Sequence, residues 1–142
     1  MRRRYCTVAA LLFVAMSGCM DTRSWHQVLG VDEIINSASV PEGHLVTVSG
    51  YLRFGDDSHN LWSSKEALLA VSKGYVPPDD PAWNHCIGLF DIDGWRSRLI
   101  DLDNSHVTIT GALQSSHPHH SEFTMNTCTD SGLSIRSVKR RK

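Results

Sequence analysis

The chain has 142 residues, 41% of them hydrophobic and 20% charged, with 14 Lys and Arg against 15 Asp and Glu. Its bases gather at the two ends: setting aside Arg2, Arg3 and Arg4 and the terminal Lys139, Arg140, Arg141 and Lys142 leaves 7 against 15, a net charge of −8. An acidic body counts against generic nucleic-acid binding, in which Lys and Arg neutralise phosphates, and a chain of this length makes one small domain rather than two.

The first segment joins three arginines to an apolar run over residues 7–16, then small residues and a cysteine. That is the shape of a secretory leader. The run reaches about half of the ~20 apolar residues a spanning helix needs, and Asp21, Arg23 and His26 follow at once. A core helix would show polar positions at helical spacing, and residues 8–16 show none. The stretch Ala15-Met16-Ser17-Gly18-Cys19 resembles the lipobox of bacterial lipoproteins, with Met16 where Leu is commoner. The resemblance implies a signal peptide over 1–18, acylation of the Cys19 sulfur, a lipidated tether over 19–25 and attachment to an envelope membrane through the lipid. In enterobacterial lipoproteins Asp directly after the acylated Cys retains the protein in the inner membrane. Met20 at that place implies the outer membrane, facing the periplasm, in a Gram-negative host.

Cys6 leaves with such a leader and Cys19 is acylated, so Cys86 and Cys128 remain. In an oxidising compartment they form a natural disulfide pair. Closing a loop of about 40 residues contributes roughly 4 kcal/mol in the chain-entropy model. The alternative is two buried thiols. No Cys-x-x-Cys is present, which counts against a thioredoxin-like site.

Residues 25–37 place Val28, Leu29, Val31, Ile34 and Ile35 near helical spacing and predict a helix, ended by Pro41-Glu42-Gly43. Residues 44–54 alternate Val46, Val48, Gly50, Leu52 and Phe54 with Thr47, Ser49, Tyr51 and Arg53, the period of a half-buried strand. A polar turn over 55–60 and Leu61-Trp62 complete a predicted hairpin. Residues 65–71 are good helix formers, and Pro77-Pro78-Asp79-Asp80-Pro81 is a loop. Residues 85–92 predict a third strand, 95–102 a short helix or irregular turn, and 132–138 a final strand. Residues 107–113 repeat the first strand, with Gly111 at the place of Gly50. Glycine inside a strand marks a bulge or bend, and two bent strands suit a small coiled barrel in which one strand serves both sheets.

Five strands, glycine bends in the first and fourth, and short helices resemble an OB-fold, and the Val-x-Val-x-Gly-x-Leu strand leading into a polar hairpin resembles small exported OB-like bacterial proteins. The fold expected is therefore mainly β, a five-stranded OB-like barrel with one or two short helices over residues 26–138, after a cleaved leader and before a basic tail at 139–142. An antiparallel sandwich is the rival. The resemblance implies a binding surface across strands two and three, with an envelope protein, a glycan or a small ligand as the partner; fold alone names no ligand.

Tyr51, Arg53 and Trp62 are the candidate ligand surface, rings for stacking beside a cation, against the plainer reading that Trp62 is half-buried. His117, His119, His120 and Glu122 lie in one short segment whose imidazoles and carboxylate suit Cu or Zn, which makes metal binding or delivery the alternative function; the plainer reading is a solvated polar loop without a cofactor. Asp91-x-Asp93-Gly94 and Asp101-x-Asp103-Asn104 lack the Gly and Glu that an EF-hand register demands and read as turns. Residues 139–142 read as a solvated tail or a contact with anionic headgroups. The Gly-x-Ser-x-Gly, His-Glu-x-x-His and phosphate-loop motifs are absent, which favours a non-enzymatic binding protein.

Overall fold

A computed structural model describes residues 27–37, 40–55, 58–77, 80–114 and 128–142. The chain runs β1 (Val28–Gly30), α1 (Val31–Ile35), β2 (Leu45–Gly55), β3 (Ser58–Trp62) and α2 (Lys65–Ser72). A 3-10 turn (Pro81–His85), β4 (Cys86–Phe90), a second 3-10 turn (Asp93–Trp95), α3 (Arg96–Leu102), β5 (His106–Gln114) and β6 (Thr129–Arg140) follow. The protein is mainly β, with one six-stranded mixed sheet and a few short helices.

The sheet runs β1-β2-β3-β4-β6-β5, and β2 also pairs with β5. β2 meets β5 antiparallel through residues 45–51 and β3 antiparallel through residues 51–55. One long strand thus serves two sets of neighbours, as the glycine in its middle predicts. At Gly50 a Cβ would lie 2.6 Å from the Trp62 carbonyl oxygen, 2.8 Å from Leu61 and 2.9 Å from Val31. Only a residue without a side chain lets β2, β3 and α1 approach this closely. Gly111 marks the bend in β5: the register with β6 shifts between Thr110 and Gly111, and a Cβ there would lie 2.5 Å from the Ser134 carbonyl oxygen.

The alternating residues of the strands point Val46, Val48, Leu52, Phe54, Leu61, Ile87, Leu89, Val107, Ile109 and Leu133 into one core. Val31 and Ile34 of α1 and Leu99 and Leu102 of α3 join it, with Trp95 and Ile92 partly buried against it. A second cluster forms outside the sheet, from Tyr51, Trp62, Val71, Cys86 and Cys128, with Ala67, Leu68, Val76, Ala82 and Trp83 packed on it. Cys86 and Cys128 are joined in a disulfide across 5.2 Å between Cα atoms.

Three expectations are corrected. The helix predicted over residues 25–37 begins only at Val31, because Val28–Gly30 pairs parallel with Thr47–Ser49 as a sixth strand. Gly30 N donates to the Glu33 carboxylate at the helix start. Asn60, placed in the predicted turn, belongs to β3 with Ser58 and His59. The basic tail is not a frayed end: β6 runs through Lys139 and Arg140, Arg140 Nη2 donates to the Asp101 carbonyl at 3.0 Å, and Arg141 N donates to the His106 carbonyl at 2.9 Å. The ambiguous stretch at 95–102 is α3, preceded by a 3-10 turn.

Candidate binding surface

The outward side of the β2–β3 hairpin gathers the three residues singled out above. Register pairs Tyr51 with Trp62, Arg53 with Asn60 and Gly55 with Ser58, so all six share one face. β4 extends it, Asn60 opposite Gly88 and Trp62 opposite Cys86.

Tyr51 and Trp62 are 6% and 1% exposed, which removes them as open stacking platforms. The cause is a second layer. α2, whose first turn is capped by Ser64 Oγ accepting from Ala67 N at 3.1 Å, lays Ala67, Leu68 and Val71 against these rings. Trp83 packs on Trp62 at 5.7 Å between centroids and donates its indole N–H to the Pro77 carbonyl at 3.0 Å. Tyr51 meets the edge of His106 at 5.3 Å. The disulfide lies in the same layer, so Trp62 and Cys86 hold α2 and the loop after it to the sheet.

The rest of the face is polar. Asn60 is 6% exposed, and its amide nitrogen donates to Ser58 Oγ at 3.4 Å. Its Oδ1 and the Trp62 Nε1 are buried without hydrogen-bond partners. Each such group costs about 1–3 kcal/mol when left unpaired. These two atoms lie at successive outward positions of β3, beneath the second layer and out of reach of solvent. Arg53, its side chain 42% exposed, supplies a cation beside them.

Arg53 is held in place by Asp103. The Asp103 carboxylate accepts from Arg53 Nη1 at 3.0 Å, from Phe54 N at 2.8 Å and from Asn104 Nδ2 at 2.7 Å. Asn104 takes a left-handed turn at φ 55°, which Asn tolerates, and its N–H donates to the Leu52 carbonyl at 3.0 Å. Asp91 turns the chain at φ 53° and accepts from Ser134 Oγ. The chain turns at Asp91 and at Asp103–Asn104, as composition predicts, whereas Asp101 lies within α3.

At the edge of the face Glu66, in the first turn of α2, has its carboxyl held below its ordinary value of 4.5, chiefly by its own backbone N–H and then by the Ser64 hydroxyl, with Lys65 and His106 adding to it against a small cost of burial. His85 Nδ1 lies 3.0 Å from Asp32 Oδ1, both half-exposed. Among the described residues no three metal-capable side chains converge, and no helix is long and apolar enough to cross a membrane. Cys19, and His117, His119, His120 and Glu122, lie outside the described residues. Asn60 and Asp103 were not singled out from the sequence as binding residues. Asn60 opposite Arg53 becomes visible only once the hairpin register is known.

No protein-family model matches the chain, and no curated protein does. Among solved structures the chain is similar to an OBody, AM2EP06, bound to hen egg-white lysozyme, at 15% identity over 70% of this chain and 81% of that one, with a TM-score of 0.39.

Proposed function

We propose that the protein is a lipid-anchored, non-enzymatic binding domain of the bacterial cell envelope, acylated at Cys19 and built as an OB-like barrel. One observation carries the barrel: the pairings β2–β3, β3–β4, β4–β6, β6–β5 and β5–β2 form a ring, with β4 and β6 parallel. Counting from β2, that is the order 1-2-3-5-4-1 of an OB-like Greek key. Its usual ligand surface spans strands two and three, here β3 and β4, where Asn60 lies beside Arg53 of β2.

The envelope half of the reading rests on the leader-like segment and is supported by the Cys86–Cys128 disulfide, a bond that persists in oxidising compartments. A polar ligand is favoured by the half-exposed guanidinium of Arg53 on this face. The test is processing. Expressed in a Gram-negative host, the wild-type chain shifts to the mass of a leaderless, acylated form and fractionates with membranes. Cys19→Ala, or treatment with globomycin, leaves the leader attached. Unchanged processing and fractionation in both would remove the anchor.

A further inference from the structure

We propose that the outward side of β2, β5 and β6 docks onto anionic phospholipid headgroups, a surface that deepens the envelope reading and rests on it for its biological setting. Register lines up Thr47, Thr110 and Ser137 in one row, and Ser49, Thr108 and Lys139 in the next. These short side chains make a flat field of hydroxyls, with Thr47 Oγ1 and Thr110 Oγ1 hydrogen-bonded at 3.0 Å. Arg141 Nη1 donates to Ser49 Oγ at 2.7 Å, which draws the guanidinium toward the same field. Arg136, in the bulge of β6, and Lys139 and Lys142 are exposed.

The strands of the field supply no carboxylate of their own, and Asp91, which accepts from Ser134 Oγ, reaches only its edge. Residues 45–51, 106–114 and 134–141 contain neither Asp nor Glu, in a protein whose body carries a net −8. Glu66, which interacts with His106, stands at its margin. Such segregation gives one positive side on an otherwise acidic protein, and hydroxyls and guanidinium are donors suited to phosphate oxygens.

Three features favour a lipid surface over a nucleic acid. Tyr51, the Phe, Tyr or Trp of these stretches, is buried, and the exposed ring beside it is the His106 imidazole, packed edge-on against Tyr51, so no exposed Phe, Tyr or Trp stacks bases here. Val28 and Leu45 are 50% and 54% exposed, and Val28 pairs with Thr47, so apolar groups border the field at the end away from Lys139. β1 begins nine residues after Cys19. Nine residues span at most about 30 Å, so a lipid at Cys19 keeps the field close to the membrane.

The test is sedimentation of residues 20–142, the chain without its leader and without the acylated cysteine, with vesicles of phosphatidylcholine, or of equimolar phosphatidylcholine and phosphatidylglycerol. The anionic vesicles bind more protein. The double variant Lys139→Glu, Lys142→Glu, at exposed positions, weakens that binding ~10-fold or more. Lys65→Glu with Lys73→Glu, at the start of α2 and just past its end, makes the same change of net charge and leaves binding unaltered. Equal losses in both double variants, or no loss in either, overturn the proposal. So does a single-stranded oligonucleotide that displaces the protein from the vesicles and itself loses binding in the Lys139→Glu, Lys142→Glu chain. Because this chain cannot be acylated, the vesicle result stands apart from processing at Cys19: either can fail while the other holds.

Discussion

Replacing Gly50 by alanine and replacing Gly55 by alanine add the same methyl group to the same strand, and the two changes have opposite signs. At Gly50 the new Cβ meets three atoms inside 3.0 Å, and the nearest, the Trp62 carbonyl oxygen at 2.6 Å, belongs to backbone. That oxygen cannot retreat without moving the Tyr51–Trp62 pair, and Val31 of α1 blocks another direction. Overpacking of this kind costs about 1–3 kcal/mol, and a backbone clash places it near the top. Restricting the unfolded chain returns about 0.4–1 kcal/mol, so the net loss is about 2 kcal/mol. At Gly55 nothing lies within 4 Å and φ is not positive, so only the entropic gain remains. Urea unfolding followed by tryptophan fluorescence, disulfide intact, measures both. With a slope of about 2 kcal/mol/M, Gly50→Ala lowers the midpoint by about 1 M and Gly55→Ala raises it slightly. Two variants within about 0.5 kcal/mol of each other, or in the reverse order, would refute the close-approach account.

Reducing Cys86–Cys128, whose partners are 42 residues apart, lowers unfolding stability by about 4 kcal/mol, measured as the urea midpoint with and without reductant. Asp103→Ala costs about 2 kcal/mol, because Phe54 N loses its acceptor as Arg53 loses its partner, whereas Arg53→Ala costs under about 1 kcal/mol; equal costs in thermal melts would show that the backbone bond carries nothing. Glu66 contributes stability above its unfolded pKa that is lost as pH falls through its depressed folded value, below 4.5. Wild type therefore loses more stability than Glu66→Gln between about pH 6 and about pH 3, and parallel curves for the two would contradict the capping role.

Much of the sheet was legible because a strand with one buried face writes its period into the sequence. Val46, Val48, Leu52 and Phe54, and Val107, Ile109 and Leu113, all face the core as their alternation predicts. The bend at Gly111 was readable too, since a glycine on the apolar side of a strand marks a bulge, a bend or a close backbone approach. β1 escaped because three residues are too few to show a period, and Val28-Leu29 fits a helix equally well. Tyr51 and Trp62 misled because alternation assumes that the second face is wet. Here α2 and the loop carrying Trp83 cover it, and nothing local in β2 announces a layer built from residues 67–83. The terminal bases looked like a tail because charge marks exposure, yet Arg140 reaches a backbone carbonyl of α3 and Arg141 a hydroxyl of β2, both distant in sequence.

The ring of pairings also sets the order in which the protein becomes safe. β6 is the last of the six strands along the chain, and it satisfies both β4, through Ile87–Phe90, and β5, through Val107–Gln114. Any chain cut before Thr129 leaves two strands with unpaired edges, and neither edge contains a Lys, Arg, Asp, Glu or Pro to discourage a foreign strand. Such fragments associate with one another through these edges rather than persist as smaller soluble domains. Loss of the carboxyl-terminal dozen residues is therefore more damaging than the loss of the same number from the other end of the sheet, where β1 covers only Thr47–Ser49 of β2.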